Sequence, residues 1–133
     1  MTPSAQPKLA RRPIKPPVSQ KGKARTTLCL PENMLDSIHR AMDTEGVSRK
    51  RRSQWIAVTV ERLFGLAGHE ELILEEFIDP GGNKTIPVSL PKPLRDQMDR
   101  TVHQLARKTD KPVESSALLR TAISQYLLRL RKR

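Results

Sequence analysis

The sequence predicts a mainly α fold that carries a two-stranded antiparallel β-ribbon. Three observations lead there. The run TTLCLP at residues 26–31 returns sixty residues later as IPVSLP at 86–91. Each run is followed by two stretches whose apolar residues recur at helical spacing. Neither strand can be stable alone, because a lone strand has unpaired edges and a single apolar face. Pairing the two strands with each other, over four interlocked helices, gives one shared core from residues 25–133 and a pseudo-symmetric pair of repeats.

The first strand reads Arg25-Thr26-Thr27-Leu28-Cys29-Leu30. Its period of two puts Thr26, Leu28 and Leu30 on one face and Arg25, Thr27 and Cys29 on the other. Pro31 stops it and suits the first turn of a helix. Met34, Leu35, Ile38, Ala41 and Met42 form that helix's stripe, and Gly46 ends it. The loop 47–52, VSRKRR, is strongly basic. A second helix follows, with Ser53 or a residue just before it as the cap, and with Trp55, Ile56, Val60, Leu63 and Phe64 as its stripe. In this pattern Trp55 is a core residue.

The second repeat starts at Lys84. Ile86, Val88 and Leu90 face the core; Thr85, Pro87 and Ser89 face away. Leu94, Met98, Val102 and Leu105 make the next helix, and TDKP at 109–112 the turn. Glu114, Ser115 or Ser116 caps the last helix, whose stripe is Leu118, Leu119, Ala122, Ile123, Tyr126 and Leu127. In the second helices the offset between repeats grows from sixty to sixty-three, matching Ser53 to Ser116 and Phe64 to Leu127. The organisation is therefore a basic arm (1–24), a first repeat (25–65), an acidic connector (66–83) and a second repeat (84–133).

Charge narrows the partners. The 133 residues carry a net charge of +11. Residues 1–25 hold seven bases and no acid, and 84–133 hold twelve bases against four acids. Residues 65–83 hold five acids and no base. Such an excess favours polyanions, nucleic acid before a membrane surface. Aromatics make up only 3%, too few for a single-strand stacking platform. The arm holds five of the eleven prolines and scattered apolar residues, the composition of a disordered tail. It either solubilises the chain or touches phosphates or a minor groove. The connector is a linker, or faces a partner or the arm; Leu72, Ile73, Leu74, Phe77 and Ile78 argue for a packed segment.

One cysteine, Cys29, excludes a disulfide scaffold, and no apolar run approaches a membrane span, so a cytoplasmic protein is expected. His39, His69 and His103 lack metal-ligand spacing, and Gly81–Gly82 is a turn rather than a phosphate loop. An enzyme, a cofactor and a metal are not expected.

A strand, a proline and two helices, used in pairs, resembles the ribbon-helix-helix family of DNA-binding proteins, to which the Arc and MetJ repressors belong. The resemblance rests on TTLCLPENMLDSI with RSQWIAVTVERL, and on TIPVSLPKPLRDQM with SSALLRTAISQYL. Two copies in one chain look like the tandem members, a fused ribbon-helix-helix dimer. Conjugation accessory proteins of the TraY and VirC2 types are among these. The resemblance implies that the outer ribbon face, Arg25, Thr27, Cys29, Thr85, Pro87 and Ser89, reads bases in the major groove of double-stranded DNA. It also implies that the start of each second helix lies on the DNA backbone. Arg49, Lys50, Arg51, Arg52 and Ser53 match that position in repeat one, Lys111, Ser115 and Ser116 in repeat two, and Lys84 adds a further phosphate contact. Pro87 and Cys29 are poor base readers, and the two groove faces differ, so the target need not be palindromic.

The expected role is a plasmid or mobile-element accessory (relaxosome) protein or a transcriptional repressor. A relaxase or another DNA-bound copy of the chain would be a further partner; a membrane would not. The alternative is a protein-interaction module such as an antitoxin. Antitoxins of this family carry the toxin-binding segment after the second helix, and this sequence stops directly after its last stripe.

Overall fold

In the computed structural model, which describes residues 22–76, 83–110 and 112–131, the chain is mostly helical and has one two-stranded antiparallel sheet. In chain order the elements are β1 (Lys23–Pro31), α1 (Glu32–Glu45), a 3-10 turn (Arg49–Arg51), α2 (Arg52–Phe64), α3 (His69–Leu74), β2 (Asn83–Pro91), α4 (Lys92–Thr109) and α5 (Ser115–Arg131). β1 thus begins two residues before the expected boundary at Arg25. The basic arm up to residue 21, the Gly81–Gly82 turn, Phe77, Ile78 and Lys111 lie outside the described residues.

The ribbon register follows the repeat. Thr27 pairs with Pro87, its own counterpart sixty residues on. Arg25 pairs with Ser89 and Cys29 with Thr85. The expected alternation holds: Leu28, Leu30, Ile86, Val88 and Leu90 are buried, while Arg25, Thr27, Thr85 and Pro87 are exposed and Cys29 and Ser89 half-buried. The N–H groups of Cys29 and Ser89 donate to helix side chains, away from the partner strand. In an antiparallel ladder, narrow non-hydrogen-bonded pairs alternate with hydrogen-bonded ones. Arg25–Ser89, Thr27–Pro87 and Cys29–Thr85 are therefore the narrow pairs. That explains how a proline sits mid-strand: the N–H it lacks would have pointed out of the ribbon.

The growth of the offset has a local cause. α1 has 14 residues and α4 has 18, about one turn more, while the link to the following helix is one residue shorter in the second repeat. α1 stops in a Schellman motif. Gly46, at φ 74°, donates its N–H to the Asp43 carbonyl at 3.2 Å, and Val47 donates to the Met42 carbonyl at 2.8 Å. α4 stops at Asp110, also left-handed at φ 58°, a conformation aspartate tolerates better than most side chains.

The repeats are interlocked. α2 packs chiefly on β2 and on α5, and α5 packs on β1. Each second helix thus lies against the other repeat's strand. The apolar ribbon face meets Ile38, Met42, Ile56, Val60, Leu63, Met98, Leu105, Leu118, Leu119 and Ile123 in one cluster. Trp55 is buried at its edge. It donates its indole N–H to Glu45 Oε1 at 2.9 Å and meets the Tyr126 ring edge-on at 5.2 Å. Tyr126 donates to the other oxygen of Glu45 at 2.9 Å, so one carboxylate ties α1, α2 and α5 together. The described part of the connector packs: α3 buries Ile73 against the core.

Candidate nucleic-acid interface

Among the described residues no helix covers the ribbon's outer face. Its side chains come in three facing pairs: Arg25 with Ser89, Thr27 with Pro87, Cys29 with Thr85. Narrow antiparallel pairs hold Cβ atoms roughly 4.5–5.5 Å apart. The six predicted base-facing side chains therefore form one patch. A guanidinium, hydroxyls and a thiol can donate or accept there; Pro87 offers shape alone. Lys84 is exposed at the end of β2 that lies beside Leu30.

The edges of the ribbon are closed by the second helices, and this fixes where their N-termini sit. Ser53 accepts the N–H of Ser89 at 2.9 Å. Ser116 accepts the N–H of Cys29 at 3.0 Å and donates to the Thr27 carbonyl at 3.5 Å. These are counterpart bonds between counterpart residues. They also show what these two serines bond to. Ser53 does not cap α2; Ser48 caps the preceding 3-10 turn by accepting the Lys50 N–H at 3.2 Å. The hydroxyls of Ser53 and Ser116 are turned to the ribbon rather than outward, because a strand edge against a helix needs an acceptor for each outward N–H. What remains for an external anion at these positions is the backbone. α5 starts at Ser115, and the Glu114 carbonyl takes the N–H groups of Ala117 and Leu118 at 3.0 and 3.4 Å. Glu114 therefore precedes that helix, and Ser115 opens it.

The basic run divides by contact. Arg49 pairs with Asp43 at 3.2 Å, both side chains more than half exposed. Such a pair adds little to stability. Lys50 and Arg51 are exposed and pair with no other described residue. Arg52 donates to Nε2 of His39 at 3.1 Å. Burial, then Arg49 and Arg52, hold His39 below its ordinary value of 6.5, against the opposing pull of Asp36 and Asp43. Arg52 is thus directed back onto α1, which leaves Lys50 and Arg51 as the outward cations of the run. Lys111 lies outside the described residues.

One structural contact was missed. Arg120 is buried (8% exposed) and grips Glu76 with two bonds, Nε to Oε2 at 2.7 Å and a second amino group to Oε1 at 3.1 Å. Its remaining amino group donates to the Cys29 carbonyl at 2.6 Å. The end of the connector, α5 and the ribbon are joined at this one guanidinium. The signal was present: Arg120 falls within an apolar stretch, where its counterpart in the first repeat is Ala57. Arg95 plays a lesser version of this part at the other end of the ribbon, donating to the Arg25 carbonyl at 3.0 Å while paired with Asp99.

Among the described residues no group of three or more His, Cys, Asp or Glu could hold a metal, and no helix is long and apolar enough to cross a membrane. No protein-family model matches the chain, and neither a curated protein nor a solved structure is significantly similar to it.

Proposed function

We propose that the chain binds double-stranded DNA in a sequence-specific way, with its β-ribbon in the major groove, as a fused ribbon-helix-helix dimer. The observation that carries this is the ribbon itself. Its register is centred on the pair that the repeat would place on a two-fold axis, Thr27 with Pro87. Its uncovered face collects polar side chains, and the net charge of +11 supplies the attraction for phosphates. A two-stranded ribbon fits the width of the major groove, where each base pair shows a distinct set of donors and acceptors. The interlocked α2 and α5, with counterpart serines on counterpart strand amides, support a single chain standing in for two protomers. Within that reading, the role is a transfer-origin accessory of a plasmid or mobile element, or a transcriptional repressor.

The test is selection from a random duplex library, then titration of the winner against scrambled duplex at two salt concentrations. A motif bound about a thousandfold or more tighter than scramble is expected. No motif, with binding that vanishes as salt rises, would leave only a charged surface and send the search to protein partners. On the selected site, Arg25→Ala is expected to lose roughly 1–3 kcal/mol of discrimination at one base pair. Arg51→Ala is expected to weaken all sequences alike and to lower the salt slope by about one.

A further inference from the structure

The two ends of the ribbon are not equivalent, and the inequality runs through every element that meets them. One end holds the start of β1 and the finish of β2, where Arg25 faces Ser89. Ser53 sits on the Ser89 amide, so the N-terminus of α2, with Lys50 and Arg51 just ahead of it, lies at this same end. Lys92 is there too, its N–H on the Gly22 carbonyl at 2.9 Å, and so is Arg95, bonded to the Arg25 carbonyl. The other end holds Cys29 facing Thr85. Ser116 sits on the Cys29 amide, so the residues ahead of α5 flank this end, and Glu114 is one of them.

Comparison of counterparts across the repeat shows the bias. Arg25 corresponds to Thr85, Lys23 to Asn83, Lys92 to Glu32, Arg95 to Leu35, Lys50 to Val113 and Arg51 to Glu114. In each of these pairs the cation belongs to the Arg25 end. Among the described residues, Lys84, whose counterpart is Ala24, is the exception at the other end. The buried Arg120 there is neutralised by Glu76 at 2.7 Å and is not presented outward. Sequence order alone does not give this arrangement. The basic turn of repeat one joins the Arg25 end because α2 crosses onto the strand of repeat two.

Resting on the DNA-binding reading above, we infer that the ligand is a non-palindromic duplex site read from one end. The half-site under Arg25, Ser89, Lys50, Arg51 and Lys92 supplies most of both the base discrimination and the phosphate contact. The half-site under Cys29 and Thr85 acts mainly as a spacer of tolerated sequence. The chemistry supports both parts. Arginine makes the bidentate contact to guanine that a threonine or thiol cannot make. Cations near phosphates release counterions, whereas Glu32 and Glu114 at the far end oppose the approach of a phosphate.

The experiment uses the full chain and duplexes built from the selected site. Each half of that site is written as an inverted repeat, giving one palindrome of each half. The palindrome of the strong half is expected to bind within a fewfold of the selected site. The palindrome of the weak half is expected to bind about tenfold to a hundredfold more weakly. A second selection with Arg25→Ala, an exposed substitution whose folding circular dichroism checks, assigns the ends: the sequence preference should fade in the strong half. Hydroxyl-radical footprinting of the wild-type chain should show protection concentrated on that same half. Equal affinity for the two palindromes, or a preference that survives Arg25→Ala in the strong half, overturns the inference while leaving DNA binding intact. Failure to select or shift any duplex removes the reading on which the inference rests, and the inference with it.

Discussion

α2 and α5 hold counterpart places against the ribbon and hold them by different means. α2 meets the strand through one side-chain bond, Ser53 to the Ser89 amide, and leaves exposed cations ahead of its N-terminus. α5 meets it through Ser116 and Arg120, and Arg120 is clamped by Glu76 from the connector. A homodimer cannot make this division, since each copy of its helix must both anchor and attract. A single chain with two unlike repeats can give one end of the ribbon to anchoring and the other to outward charge. The two repeats agree in their element order and in the two serines; the difference lies in the side chains around them.

The largest expected effect comes from breaking the clamp. Glu76 and Arg120 have side chains 8% and 10% exposed. Removing one partner of such a pair leaves an uncompensated buried charge, which costs about 3–5 kcal/mol. Glu76→Ala is therefore expected to lower the urea midpoint steeply, and Glu61→Ala, exposed on α2, to change stability by less than about 0.5 kcal/mol. The double change Glu76→Leu with Arg120→Met sharpens the contrast. It removes both charges together and should recover most of the loss. If Glu76→Ala proved harmless, the connector would be a tether and α5 would be held no differently from α2.

Most of the architecture was legible in the sequence, for a physical reason. Alternation and helical stripes are imposed by one shared core, and Leu28, Leu30, Ile86, Val88 and Leu90 all reach it. The position of Gly46 at the end of α1 was equally plain, since a left-handed residue there favours glycine. The site was legible only in part. The period of two placed Arg25, Thr27, Thr85 and Pro87 on the exposed face. It could not show that α2 crosses to the strand of the other repeat, so Ser53 and Ser116 were read among the candidate caps and phosphate contacts and not as edge acceptors. Arg120 was passed over because a charged residue beside an apolar stripe usually reaches solvent. Only the fold brings Glu76 to it.

A middle-sized effect tests the serines themselves. Losing the acceptor of a strand amide at a partly buried edge costs about 1–3 kcal/mol. Ser53→Ala and Ser116→Ala should lower stability by similar amounts, because the extra contact of Ser116 to the Thr27 carbonyl, at 3.5 Å, is at the weak limit. Local opening should differ where stability does not. Without Ser53 no other described side chain holds the Ser89 amide, and its hydrogen exchange should quicken sharply. Without Ser116 the Cys29 carbonyl is still gripped by Arg120 at 2.6 Å, so the Cys29 amide should quicken less. Equal quickening at both amides would show that Arg120 adds nothing to the attachment of α5.

The smallest expected effect separates the first helices. His39 on α1 and Asp99 on α4 are counterparts, and each faces an arginine: Arg52 on Nε2 of His39 at 3.1 Å, Arg95 on Asp99 at 3.0 Å. Histidine is the side chain whose ordinary titration range lies close to neutral pH. Burial, Arg49 and Arg52 hold it below 6.5 in the folded chain, with Asp36 and Asp43 opposing. The unfolded chain therefore binds this proton more readily than the folded one, and stability must fall as pH drops from about 6.5 toward the lowered folded value. Protonation also removes the acceptor that keeps Arg52 turned onto α1. The urea midpoint should accordingly fall as the pH is lowered through this range, and His39→Gln, which keeps a neutral acceptor, should reduce that fall. An unchanged pH dependence in the His39→Gln variant would place the titration elsewhere.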